Sequence, residues 1–169
     1  ETLVVWSGFA IASTPEVVAG YIKYVRDRTT QPVTSDDNWA FYAKNSSEPN
    51  DPRLVIDAVD FVSMHTYPLL DTVPPAVPNW DWQQQAVPEA QRAVAMMDAA
   101  INSAKGEYAA VRAHLDSLGQ HGKPIVVGET GWKAVPVGNT ANRAHPVNQK
   151  MYVERLKAWH DTAKEIGRA

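Results

Sequence analysis

The 169-residue sequence contains no cysteine. Disulfides and thiolate metal sites are therefore excluded, although the compartment is not thereby fixed. No apolar run approaches the roughly 20 residues that a membrane-spanning helix needs, and no membrane partner is expected. There is no excess of one charge. The 16 basic and 19 acidic residues leave a net charge of -3 and form no Lys/Arg stripe, so nucleic acid is not an expected partner either. No Gly-rich phosphate loop is present, and no group of His and carboxylates has metal-ligand spacing. Neither a cofactor nor a metal is expected. Aromatic residues make up 9% of the chain and are interleaved with Asp, Asn and Gln rather than Lys or Arg. That setting suits neutral polar ligands such as sugars better than phosphates. There is no initiating Met, since residue 1 is Glu, and no basic-plus-apolar secretion signal follows it. The sequence reads as a piece of something longer, yet it is long enough for one domain with a real core.

Elements alternate along the chain. Residues 1–13 read as a loop. A hydroxyl residue, Pro15 and Glu16 then open a helix running to about Arg28, with Val17, Val18, Tyr21, Ile22 and Val25 at helical spacing. Gln31–Thr34 reads as a short strand, and Ser35-Asp36-Asp37-Asn38-Trp39 as a polar loop at its carboxyl end. Val59–Pro68 reads as a second strand ending in polar and aromatic groups. A loop with five prolines runs from Pro68 to Pro88, carrying Asn79-Trp80-Asp81-Trp82-Gln83. Loops this long in a compact domain are commonly functional or disordered. A helix from about Pro88 to Leu118 stops at Gly119. A last helix opens at His145-Pro146, with Met151, Leu156, Trp159 and Ile166 roughly on one face. Three strands alternating with helices predict a parallel α/β sheet.

The most informative segment is Pro124-Ile125-Val126-Val127-Gly128-Glu129-Thr130-Gly131-Trp132. Its short β-branched run is expected of a strand buried on both faces. A glutamate directly after such a strand stands at its carboxyl end, the rim from which catalytic groups project in α/β barrels.

Gly128-Glu129-Thr130-Gly131-Trp132 resembles the nucleophile motif of family 17 glycoside hydrolases, the β-1,3-glucanases and related glucanosyltransferases. Phe61–Pro68 resembles that family's sixth strand, Thr34–Trp39 the end of its fifth, and Glu1–Val4 the stretch from its acid/base glutamate onward. The resemblance covers nearly the whole chain and implies an incomplete (β/α)8 TIM barrel. This half-barrel would hold about strands five to seven with helices four to seven, where a whole barrel needs about 250 residues. It also implies a β-glucan or oligosaccharide substrate, a secreted or periplasmic setting, and a retaining mechanism with two carboxyls about 5–5.5 Å apart. Glu129 would be the nucleophile and Glu1 the acid/base. The open sheet edges of such a fragment predict self-association into a homodimer.

Around these two glutamates, Trp132, Trp39, Trp80 and Trp82 are candidate platforms for sugar rings. Trp132 is favoured because it lies just beyond the nucleophile; Trp80 and Trp82 are equally candidates for core filling. Tyr67 is either a hydrogen-bond partner that holds the nucleophile or an ordinary strand-end aromatic. His65 is a contact for a sugar hydroxyl or a satisfied buried histidine. Asp36 and Asp37 are acceptors for sugar hydroxyls or members of a solvated loop. Two other readings stand beside the enzyme. One is a scaffold or sugar-binding fragment without turnover. The other is a flavodoxin-like domain, disfavoured by the missing phosphate loop.

Overall fold

The computed structural model describes residues 3–7, 14–71, 77–136 and 143–165. Contacts divide the chain into two compact units: Glu1–Thr66 with Glu107–Glu129, and Tyr67–Gly106 with Thr130–Ala169.

The first unit is a parallel α/β layer structure. Its strands are β1 (Leu3–Ser7), β2 (Val33–Asn38), β3 (Val62–Thr66) and β4 (Ile125–Thr130), and they lie in the sheet in that order. β1 pairs in parallel with β2 (Leu3 beside Val33), and β2 with β3 (Asp36 beside Ser63, Asn38 beside His65). Parallel neighbours need crossover connections. Helix α1 (Pro15–Arg26) lies in the first, α2 (Trp39–Tyr42) and α3 (Arg53–Ala58) in the second, and α5 (Arg92–Ser117) in the third. The third also includes the one-turn helix α4 (Pro68–Asp71), which belongs to the second unit.

β1 was expected to be part of a loop. Its partner, β2, lies some thirty residues on, and non-local pairing is what local pattern reads worst. β2 also runs further than expected, through Asn38. The Asn38 side chain accepts from the Ala40 N–H at 2.8 Å, which ends the strand and starts α2.

Helix α1 begins at Pro15 as predicted, but the Thr14 hydroxyl makes no backbone cap. It bonds Glu16 instead, lowering that carboxyl's pKa. Val18 and Ile22 are fully buried and Val25 packs beside them, whereas Val17 and Tyr21 lie exposed. The inward stripe is thus narrower than the five-residue pattern suggested. Val33, Tyr42, Val55, Ile56, Val62, Met64, Val111 and Leu115 complete this core. Each large side chain contributes about 1.5–3 kcal/mol by leaving water.

Two cations fix the amino-terminal ends of the strands, and with them the positions of the residues at the other ends. Arg26 donates to the Ala58 carbonyl at 2.7 Å and pairs with Asp60 at 2.9 Å. Asp60 in turn accepts the Val33 N–H at 2.8 Å. Lys123 donates to the carbonyls of Ile56 and Val59, and burial lowers its pKa.

β4 departs from the expectation of burial on both faces. Its side chains alternate, with Val126 46% exposed, because β4 is a terminal strand of the sheet. Gly119 ends α5 as predicted, with φ of +76°. Replacing it by Ala meets no neighbour within 4 Å but strains this left-handed backbone. Gly119→Ala should cost about 1 kcal/mol, read as a lower urea midpoint. Gly122→Ala, equally open and without positive φ, should leave the midpoint unchanged. Equal midpoints for the two variants would contradict the conformational explanation.

The second unit contains α4, two 3-10 turns (Trp82–Gln84 and Glu89–Gln91), the first part of α5, and α6 (Pro146–Glu165). Its core includes Leu69, Met96, Met97, Ala100, Ile101 and Tyr152, with Met151, Leu156 and Trp159 packed alongside. Ile166, expected on the same face of α6, lies outside the described residues.

Candidate active site

The carboxyl ends of β2, β3 and β4 bring together Asp36, His65 and Glu129. His65 Nε2 lies 3.0 Å from Asp36 Oδ2 and 3.5 Å from Glu129 Oε1. One ligating atom from each of the three residues lies within 4.8 Å of the other two. No two of these residues are close in sequence, which is why spacing alone showed no such cluster. Burial differs sharply among them: side-chain exposure is 8% for Asp36, 13% for His65 and 41% for Glu129. Glu129 is therefore the member open to a ligand, backed by two residues that are largely enclosed.

Burial disfavours the charged form of His65. The hydrogen bond and charge of Asp36, with the charges of Glu129 and Asp37, outweigh it, and the net direction is upward. Asp36 has a second oxygen, Oδ1, that is buried and accepts no hydrogen bond among the described residues.

Asp37 lies on the other face of β2. Its Oδ1 accepts the Asn38 N–H at 2.7 Å. Burial, reinforced by Asp37, raises the Tyr42 pKa, and the Tyr42 hydroxyl donates to the Ser35 carbonyl at 2.6 Å. Asp36 and Asp37 are thus neither loop residues nor solvated, and only Asp36 joins the Glu129 cluster. Trp39, at the start of α2, is half-buried against the first core.

Gly128 and Ser63 were not singled out from the sequence. A Cβ at Gly128 would stand 2.1 Å from Ser63 Oγ and 2.6 Å from Asp36 Oδ1. Glycine is therefore what lets β4 approach Asp36 this closely. A glycine inside an apolar strand is a sequence sign of such an approach. Gly128→Ala should displace Asp36 and Ser63 and cost about 1–3 kcal/mol, measured by urea unfolding. An unchanged midpoint would show that the strand yields freely at this point.

The remaining candidates belong to the second unit. Trp132 and Trp80 are 4% and 3% exposed and pack edge-to-face, with ring centroids 5.5 Å apart. The Trp132 ring also lies 5.6 Å from Tyr152, and its N–H donates to the Arg143 carbonyl at 3.1 Å. Both tryptophans fill a core, and neither offers a free face as a platform. Trp82 is half-buried beneath the Arg92 guanidinium at 4.8 Å and, with Asp81, Gln83 and Arg143, lines a concavity. Tyr67 is half-buried, its ring edge 3.5 Å from where a Cβ on Gly131 would lie. Glu1 lies outside the described residues.

No protein-family model matches this sequence, and no curated protein sequence matches it. Among solved structures, the chain is similar to the crystal structure of an endo-laminarinase from Formosa Hel1_33_131, with a TM-score of 0.80 and 22% sequence identity. The match covers 96% of this chain and 46% of that one, so the chain spans less than half of its neighbour's length. At this identity the likeness establishes a shared fold.

Proposed function

We propose that this chain is a half-barrel portion of a retaining glycoside hydrolase of the family 17 type, acting on β-1,3-glucan. The observation that carries the reading is Glu129, more exposed than its partners, at the carboxyl end of β4 beside Asp36 and His65, in a fold similar to that of an endo-laminarinase. In this reading the Glu129 carboxylate attacks the anomeric carbon and forms a glycosyl-enzyme. The second carboxyl, assigned to Glu1, protonates the departing oxygen and then activates water. Asp36 Oδ1 is a buried acceptor suited to a hydroxyl donor. The terminal strands β1 and β4 would pair across two copies, giving a homodimer.

Coverage of less than half of the neighbouring enzyme favours a second reading, a glucan-binding fragment without turnover. Laminarin hydrolysis by the 169-residue chain, with solution mass determined on the same sample, separates the two. Products of retained anomeric configuration, lost in Glu129→Gln, support the hydrolase. Oligosaccharide binding without products selects the second reading. Neither products nor binding overturns both.

A further inference from the structure

We propose that His65 is a positioning residue for Glu129: held by Asp36, it presents one ring N–H to the Glu129 carboxylate and fixes its orientation. The inference rests on the reading of Glu129 as the nucleophile, but its structural core does not depend on that reading.

The geometry restricts the imidazole. Nε2 faces two oxygens, Asp36 Oδ2 at 3.0 Å and Glu129 Oε1 at 3.5 Å. Ionised carboxylate oxygens only accept hydrogen bonds, so a bare ring nitrogen there would face two acceptors with its own lone pair. Nε2 must therefore carry a hydrogen, directed toward the two carboxylates that flank it, Asp36 being the nearer. The tautomer is fixed before any question of net charge arises.

Asp36 and His65 are both enclosed, so the ring has little freedom to swing away. Glu129, which is much more exposed, gains its reference direction from this buried pair. A nucleophile must approach its target along a narrow path, and small misplacements cost rate steeply.

When its other ring nitrogen is also protonated, His65 becomes a cation facing Asp36 of β2 and Glu129 of β4, with the charge of Asp37 adding to theirs from the other face of β2. Glu107 of α5 does not enter this set directly. It accepts from Thr66, which points to the opposite face of β3 from His65. Gly128 completes the arrangement by leaving room for Asp36 beside β4.

The test is an NMR titration of the His65 ring in the full 169-residue chain, in chelator-treated buffer, repeated with Asp36→Asn and with Glu129→Gln. The titration midpoint should lie above that of free histidine, fall markedly in Asp36→Asn and fall by a smaller amount in Glu129→Gln. A His65 midpoint indifferent to Glu129→Gln would overturn the coupling, whatever the chain does to glucan. His65→Gln should then lower kcat on laminarin about tenfold to hundredfold with KM little changed, and shift the alkaline limb of the pH profile. A rise in KM alone would make His65 a substrate contact and overturn the positioning role. Coupled titration without laminarin turnover in any variant would keep the positioning role and reject the hydrolase reading, so the two failures are distinguishable.

Discussion

Glu129→Gln should, on the hydrolase reading proposed above, abolish laminarin turnover, lowering kcat by on the order of 10⁴-fold or more, as loss of a covalent nucleophile does in hydrolases. The amide has nearly the shape of the carboxylate but too weak a nucleophile to form the glycosyl-enzyme. The fold should survive. Glu129 is 41% exposed and stands near the carboxyl end of β4, so the variant removes no core packing. The contact of His65 Nε2 with Asp36 Oδ2 at 3.0 Å remains available to hold the ring. Far-ultraviolet circular dichroism and urea unfolding should therefore match the parent chain while product formation disappears. Turnover within tenfold of the parent would place the nucleophile elsewhere and remove the basis for reading β4 as the catalytic strand.

The likeness to the fold of an endo-laminarinase agrees with the coarse expectation of a glucanase-like fold, while family 17 membership and the half-barrel belong to the proposal. The legible parts were local ones. Ile125–Val127 is β-branched and short, Pro15 opens α1, and Gly119 closes α5, so each shows itself within a few residues. What escaped the sequence depends on partners far along the chain. β1 becomes a strand because Leu3 and Val4 pair with Val33 and Thr34. Asp36 and Asp37 look like loop residues in order, yet they continue β2 and face opposite ways, one toward His65 and the other toward Tyr42. The value of Gly128 is visible only once Ser63 and Asp36 are placed against it. Trp132 sits just beyond Glu129 in sequence, and proximity in sequence suggested a shared site. Its burial with Trp80 and Tyr152 shows that it serves the core of the second unit instead. Of the aromatic candidates, Trp39, Tyr67 and Trp82 retain partial exposure, which makes them better subjects for binding assays than the two buried tryptophans.

Asp81→Ala should destabilise the second unit by about 3–5 kcal/mol. Asp81 is 1% exposed and pairs with Arg143, whose side chain is itself 24% exposed. Its Oδ1 also accepts the Gln83 N–H at 2.9 Å, fixing the turn that carries Trp82. The alanine variant would leave a largely enclosed guanidinium without its carboxylate and would release that turn. The effect should spread, because the Arg143 carbonyl accepts hydrogen bonds from the Trp132 ring and from Asn148 at 2.8 Å. Loss of the ion pair thereby loosens the packing of Trp132 on Trp80. For a chain of this size the melting temperature should drop by roughly 6–20 °C. Intrinsic tryptophan fluorescence should shift to the red at the same time as Trp80 and Trp132 become wetter. Arg155→Ala is the internal comparison. Its partner Asp98 is 59% exposed, and the loss there should stay near 1 kcal/mol or below. Equal effects from the two substitutions would show that burial does not set the value of the Asp81–Arg143 pair.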